Sequence, residues 1–445
     1  MTRNAGYMEA KMKKLFLVAV CTVFLTTSIS YGYQATFDPR ISVGGEYTDN
    51  VFLTETFKED DFITTITPGF TAQILGKTSG ADISYDPSYA IYNTFDEFNG
   101  WRHKARFNGW SNITKNTSLK VRDRFLYTED PIRDPDIARI RTEDPTIPID
   151  STIRKSLRIY YTNFFSIDLN HQFGGEDSFR LGYVNRFRND EDPINNDSRG
   201  NIPSIGLTYW FLPQWGFGAN ASYTKAEIEN QPDRDILYGN VSLIRRFTKR
   251  FQGYIRYAHT NVDYEDEGTE VKDDRTYNPM IGFNYLIDKD ISCSFNIGYF
   301  YNDFDLREDA SGTTVDLRLI KTLNRGSLNL SALGGYDYAL FGSEDLNYDQ
   351  FYEVGGSARY QLYRNIDGII FASYRNDDYL DVDREDKTTR AGLGLTAKVL
   401  PWMSLGLNYT YRKVDSTSRI EDYDVNRVFL RITLSPSRPY RTSKY

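Results

Sequence analysis

Nine short turns cut the chain at intervals of about 35–40 residues, with one longer gap, and the stretches between them alternate apolar and polar residues. The turns are Gly76–Gly80, Lys115–Thr117, Gly174–Asp177, Leu212–Trp215, Thr248–Arg250, Asp288–Asp290, Leu323–Gly326, Tyr363–Asn365 and Leu400–Trp402. Between them fall longer segments crowded with Asp, Glu, Asn, Gly and Pro, such as 129–150, 189–200, 263–274, 306–312 and 380–387. The alternation has a period of two. Val315, Leu317 and Leu319 oppose Asp316 and Arg318, while Leu405, Leu407, Tyr409 and Tyr411 oppose Ser404, Asn408, Thr410 and Arg412. Ile291, Cys293, Phe295, Ile297 and Tyr299 oppose Ser292, Ser294 and Asn296 in the same way. A period of two with one apolar face describes strands held between an apolar phase and a wet one.

A sheet of this kind has to close. Unpaired backbone groups in hydrocarbon cost several kcal/mol each, so only helices and closed barrels cross a bilayer. Past the N-terminus, no run reaches the ~18 apolar residues of a membrane helix. Nine turns join eighteen strands, and one strand near Pro39–Asn50 and another near Asp422–Leu434 flank them. The expected fold is therefore all-β: a single transmembrane antiparallel up-and-down barrel of about 20 strands (16–20), with short periplasmic turns and long acidic extracellular loops. The composition suits it, with 15% aromatics and a net charge of −8. Tyr85, Tyr89, Tyr92, Phe95, Tyr299, Phe300, Tyr301 and Phe304 gather toward strand ends, as in an aromatic girdle.

The first residues read as an export signal. Lys11, Lys13 and Lys14 precede an apolar run from Leu15 to Leu25, and Ser30-Tyr31-Gly32 offers small residues before a cut ahead of Tyr33. Met12 is an alternative start. A lipoprotein reading at Cys21 is disfavoured by the bulk of Val20 and the short apolar run before it. The expected organisation is a signal peptide over 1–32, the barrel over 33–435 and a C-terminal periplasmic tail over 436–445. The destination is the outer membrane of a Gram-negative cell, where the partners are outer-membrane lipid, lipopolysaccharide and the barrel-assembly machinery. Without Cys21, Cys293 is the one remaining thiol, which excludes a disulfide framework and a cysteine metal site. The acidic balance argues against a nucleic-acid partner.

Chemistry on the polar face is basic. Arg102, Arg106, Arg122, Arg124, Arg158, Arg180, Arg186, Arg188, Arg256, Arg318, Arg359, Arg412 and Arg431 are the candidates to line the lumen, several at i, i+2 spacing. An arginine-lined lumen favours anions or orients sugar hydroxyls, and the same residues can brace the wall by pairing with Asp and Glu across strands. The only histidines are His103, His171 and His259, none in a serine-nucleophile motif, so no enzyme, cofactor or metal site is implied. Segment 129–150, stiffened by Pro131, Pro135, Pro145 and Pro148, is the candidate to fold inward as a plug.

The first mature strand, Pro39-Arg40-Ile41-Ser42-Val43-Gly44-Gly45-Glu46-Tyr47-Thr48-Asp49-Asn50-Val51-Phe52, resembles the opening of the putative β-barrel porin 2 family, whose members often begin with G-x-Y-x-D-N-[VI]. The stretch from Asn426 to Leu434 resembles that family's closing strand. The resemblance implies an outer-membrane pore for small solutes or polysaccharide, linked to exopolysaccharide export, and brings no catalytic residues. One feature departs from the usual pattern of ending on an aromatic of the final strand: Ser435–Lys444 continue past it, and Pro436 and Pro439 are expected to stop the strand. A non-conducting surface protein that binds polysaccharide or a partner through its acidic loops is the alternative, and an outer-membrane enzyme a more distant one.

Overall fold

The computed structural model describes residues 32–131, 157–193, 195–265, 273–305, 308–338, 348–380 and 382–444. The export signal lies outside the described residues, as does most of the candidate plug. The strands are β1 (Tyr33–Thr48), β2 (Asp61–Gly76), β3 (Ser79–Tyr92), β4 (Gly100–Asn112), β5 (Thr117–Thr128), β6 (Tyr160–Gln172) and β7 (Ser178–Asp190). They continue as β8 (Ser198–Leu212), β9 (Trp215–Ile228), β10 (Asp233–Arg246), β11 (Phe251–Glu265), β12 (Asp273–Asp288), β13 (Ile291–Phe304) and β14 (Ala310–Leu323). The last are β15 (Gly326–Tyr338), β16 (Tyr348–Tyr363), β17 (Ile366–Tyr379), β18 (Arg384–Leu400), β19 (Met403–Ser416), β20 (Tyr423–Leu434) and β21 (Tyr440–Lys444).

Each strand from β1 to β20 pairs antiparallel with its neighbours in the chain, and β20 returns to β1, with Ile41 opposite Leu434 and Thr48 opposite Arg427. The sheet is a closed barrel of 20 strands. All nine tight turns lie between the strands that the sequence joins there. The strands run longer than the apolar alternation suggests. Asp263–Glu265 still pair with Asp233–Asp235, and β18 begins at Arg384 inside a stretch that reads as loop. Outside the bilayer a strand needs no apolar face, so the hydropathy signal fades while the backbone pairing continues.

One face of the wall is an apolar belt. Ile255, Val354, Ile370, Ile281 and Leu330 are each about 60% exposed, a condition that water would penalise and lipid does not. The opposite face holds buried polar side chains such as Glu46, Thr65, Asn278, Asn302 and Asp377. The aromatic girdle is only partly what strand-end clustering suggests. Tyr299 and Tyr301 stand on the outer face, and Tyr89 packs edge-on against exposed Trp101. Tyr92, Phe300 and Phe304 are buried and point into the lumen, because the strand pleat sends neighbouring rings to opposite sides.

The C-terminal segment does not hang free. The prolines interrupt β20, yet the chain rejoins β1 as β21, with Tyr440 opposite Phe37 and Lys444 opposite Tyr33. From Leu434 to Tyr440 the chain advances six residues while its partner on β1 advances four, from Ile41 to Phe37. The two extra residues form a proline-bearing bulge, a place where a strand tolerates missing donors. Below Ile41, β1 would otherwise present an open edge at the barrel seam. Removing 435–445 is expected to leave an inserted barrel that is weaker by about 2–5 kcal/mol, from a handful of lost backbone bonds. The readout is the temperature at which the folded band converts to the unfolded one in a heat-shift gel; an unchanged midpoint would mean that the tail does not hold the seam.

Candidate functional site: the lumen

The lumen is framed by three clusters. The first lies at the seam. Arg427 on β20 reaches Glu46 on β1 at 3.3 Å and Asp130, just past β5, at 2.9 Å. Along the wall, β5 and β20 are separated by β4, β3, β2 and β1, a path of about 24 Å at strand spacing. A contact of hydrogen-bond length over that separation means that the backbone after β5 turns into the barrel. Its neighbour Glu129 is held likewise. Arg102 Nε donates to Glu129 Oε1 at 2.7 Å, the Tyr92 hydroxyl donates to the same oxygen at 2.9 Å, and the Tyr160 hydroxyl donates to the Asp130 carbonyl at 3.0 Å. The start of the candidate plug thus enters the lumen; residues 132–156 lie outside the described residues.

The second cluster sits on β16 and β17. Arg375 donates through Nε to Asp377 at 2.6 Å and through a terminal nitrogen to Asp349 at 3.0 Å, with Glu353 at 3.7 Å and the Phe351 ring 4.1 Å beneath its guanidinium. One always-charged fork among several carboxylates suits a buried site better than lysine would.

The third is aromatic. β14 and β15 pair from Leu323 opposite Gly326 up to Val315 opposite Gly334, and there the pairing ends, although β14 continues along β13 to Ala310. At Gly335 φ is +154°, a region that side chains rarely adopt. Beyond it β15 stays with β16, Tyr338 opposite Tyr348, and the pair leans across the lumen. The Tyr338 hydroxyl meets Thr276 of β12 at 3.1 Å and the Tyr336 hydroxyl meets Thr260 of β11 at 3.5 Å. Asn302 of β13 donates to the Tyr348 hydroxyl. Tyr338 and Tyr348 pack with Ala226, Ile236, Val262 and Phe304 in one buried cluster, which narrows the extracellular half of the bore.

Of the arginines nominated from sequence, all but Arg158 lie on strand faces opposite the lipid belt; Arg158 is exposed just before β6. Several are braced: Arg180 with Asp168 at 2.7 Å, Arg188 with Asp190 at 3.6 Å and Arg318 with Asp316 at 2.9 Å. Arg106 lies opposite Arg124, and Arg412 opposite Arg390. Arg256 lies over the Tyr254 ring and Arg431 over Phe429. Arg122, Arg186 and Arg359 share the inward face, Arg359 among the exposed ones. The sequence alone passes over Arg427, Arg375 and Arg40. Arg40 on β1 binds Asp86 on β3 across β2, with Nε to Oδ1 at 3.0 Å. The bridge crosses Gly69, where a Cβ would stand 2.2 Å from the Asp86 carboxylate.

Inward positions on β4 to β7 carry three cationic triads: Arg102, Lys104 and Arg106; Lys120, Arg122 and Arg124; Arg180, Arg186 and Arg188. The carboxylates on the same inward faces are Asp168 and Asp190. Further round the wall, inward positions of β11 to β13 carry mostly neutral polar groups, among them Gln252, Thr260, Thr276, Asn278, Asn284, Ser292, Ser294 and Asn296, with Arg256 and Asp274 as charged exceptions. The rim loops are tied to the wall. Asp197 accepts from the Asp190 amide at 2.8 Å, and burial pushes its carboxyl above the ordinary range. The histidines stand apart on the outer face, where His103 meets the Tyr85 hydroxyl at 2.9 Å, His171 meets Thr117 at 2.9 Å and His259 packs on Tyr277. Among the described residues no group of three or more His, Cys, Asp and Glu could hold a metal.

The family model described as Putative beta-barrel porin 2 matches residues 31–157 and 350–435, the two ends that meet at the seam. The chain belongs to this family. Among solved structures it is similar to Pseudomonas aeruginosa OpdK with vanillate, at 9% identity and a TM-score of 0.43, covering 90% of this chain and 99% of that one. It is similar also to the siderophore receptor PirA from Pseudomonas aeruginosa, at 8% identity and a TM-score of 0.49, covering 90% and 80%. A third is Acinetobacter baumannii OccAB3, at 11% identity and a TM-score of 0.40, covering 91% and 99%. No curated protein matches. The porin 2 membership and the closed barrel place the chain in the outer membrane as a porin-like barrel.

Replacing Arg427 by Met would leave Glu46 and Asp130 buried without their cation. The expected cost is about 3–5 kcal/mol in urea unfolding from vesicles, and most of it should vanish in Arg427→Met/Asp130→Asn/Glu46→Gln. An equal loss in both variants would show that the seam cluster packs by shape rather than by charge.

Proposed function

We propose that this porin 2 barrel is a channel that passes small solutes or a polysaccharide across the outer membrane after export through a cleaved signal peptide. The observation that carries the reading is the two-faced wall. Lipid-facing positions form an apolar belt, while inward positions carry arginines, amides and hydroxyls along the whole height of the barrel. A wall of 20 strands encloses more room than its own side chains fill, as in barrels of 16 to 18 strands that hold aqueous channels. The half-exposed Arg180 and the exposed Arg359, both inward, mark a wet periplasmic half. The link to exopolysaccharide export rests on the family resemblance. Lipid and lipopolysaccharide surround the belt, and the assembly machinery inserts it.

The tyrosine cluster and the Glu129–Asp130 entry favour a second reading, a closed barrel whose acidic loops bind polysaccharide or a partner at the surface. Single-channel recording of the refolded mature chain in a planar bilayer separates the two. Discrete conductance steps, enlarged when 132–156 is deleted, are expected. A folded barrel that stays silent with and without that deletion would leave the surface-binding reading.

A further inference from the structure

We infer that the extracellular part of β15 and β16 is a gate with two positions: the one seen inside the lumen, and a second in the wall, where β15 pairs with the edge of β14 and the bore widens. This deepens the channel reading and rests on it.

The sheet is torn at one place. From Leu323–Gly326 to Val315–Gly334, β14 and β15 are paired. Beyond that point, among the described residues, Ala310–Thr314 pair with β13 alone and Gly335–Tyr338 with β16 alone. The torn parts overlap instead of meeting. On β15, Tyr336 reaches β11 and Tyr338 reaches β12. On β16, Tyr348 reaches β13, and Gln350 Oε1 lies 3.6 Å from where a Cβ would stand on Gly312 of β14. In an unbroken wall β15 would stand three strands from β12, and β16 three from β13. The overlap therefore takes about three strand spacings, ~14 Å, out of the circumference.

The residues of this flap suit both positions. Tyr348, Gln350, Tyr352 and Val354 alternate onto one face of β16. Tyr352 and Val354 are 49% and 62% exposed on the outer wall, yet Tyr348 is 0% exposed. Tyr336 and Tyr338 share that face, opposite Gln350 and Tyr348. Standing in the wall, the same face would carry these tyrosines outward, level with Tyr299 and Tyr301, which lie opposite Thr313 and Ser311. Tyrosine fits either place, because its ring accepts an apolar layer and its hydroxyl accepts water or a protein partner. The tear also opens at the level of those outward tyrosines, beyond which water rather than hydrocarbon meets an unpaired amide. Register already assigns the second position: continuing the Val315–Gly334 pairing sets Thr313 opposite Tyr336 and Ser311 opposite Tyr338. Gly335, at φ +154°, holds the first. A Cβ there would have room, 3.6 Å from Thr314, but residues with a side chain disfavour that backbone conformation.

The test uses the refolded mature chain in a Cys293→Ser background, with folding checked by heat-shift gel. Reduced Thr313→Cys/Tyr336→Cys barrels in vesicles are oxidised and digested for mass spectrometry. The disulfide should form, since the wall position brings the two residues opposite each other. In planar bilayers the oxidised form should conduct about twofold more than the same protein reduced, because the bore grows with the number of strands in its wall. Reductant should reverse the change. Thr276→Cys/Tyr338→Cys, bridged by a bifunctional thiol reagent as long as a tyrosine side chain, should stay at the lower level. Gly335→Val leaves every ring of the cluster in place and should spend more time at the higher level than the unmodified chain. No disulfide in a folded barrel, with Gly335→Val conducting as the unmodified chain does, would overturn the gate and leave a fixed constriction. Equal conductance under the two cross-links would overturn it as well. A disulfide that forms in a barrel silent in every state would remove the channel reading, while the two positions of β15 would stand.

Discussion

The structure depends on one requirement: no backbone amide or carbonyl in the bilayer can be left without a partner. Every strand but the first and last obtains two partners from its chain neighbours, one through a short turn and the other through a longer loop. The first and last must find each other, so the seam is where closure succeeds or fails. Here the seam is built from the full length of β1. Its upper half takes β20 and its lower half takes β21, and the proline-bearing bulge between them absorbs a mismatch of two residues. The buried Arg427, tied to Glu46 across the seam and to Asp130 from beyond it, adds a charged clasp on the lumen side. The two stretches matched by the porin 2 family meet at this junction, one beginning at β1 and the other ending with β20.

Closure also decides what the inward face can hold. A barrel whose outside is committed to lipid has only its inside for charge. Ion pairs there bridge strands that do not touch: Arg40 to Asp86 across β2, Asp130 to Arg427 across the bore. The buried pairs among them, at Arg427, contribute little net stability, because desolvation offsets most of the attraction. What they fix is shape. Removing one partner strands the other, so the positions of Glu129 and Asp130 inside the lumen are strongly specified.

Much of this was legible in the sequence. Tight turns punctuate apolar alternation, and both are properties of a few adjacent residues, so turn positions, strand number and the lipid face could be read directly. Strand ends could not, since beyond the bilayer Asp263 or Glu385 pairs in a sheet without any hydropathy mark. Nor could the fate of the tail. Pro436 and Pro439 do block continuation locally, but whether the chain then rejoins a partner depends on β1, hundreds of residues away. Arg427 escaped notice because it sits in an ordinary alternating strand; its importance comes from Asp130, which only the closed barrel brings near. The inward turn of Tyr92, Phe300 and Phe304 follows from the pleat, but clustering by type hides it, because the outward Tyr299 and Tyr301 flank Phe300 in the sequence.

The two ends of the lumen are therefore built on different principles. At the periplasmic half the bulges beside the short turns leave the strands in the wall, and inward groups such as Arg180 and Arg359 stay exposed. At the extracellular half two irregularities invade the bore, the segment entering at Glu129 and the β15–β16 hairpin leaning in from Gly335. Their anchors differ in kind. The first is held by arginine forks, whose strength falls with any route for water or salt into the cluster. The second is held by packed rings and hydroxyl contacts, which salt hardly touches. A solute moving through the barrel would meet a charge-sensitive obstacle and a shape-sensitive one in the same half. An anion can compete with Glu129 and Asp130 for their arginines, whereas a neutral molecule of the same size cannot. That asymmetry ties the constriction to the cationic wall on β4 and β5: Arg102 belongs both to the clasp on Glu129 and to the first cationic triad.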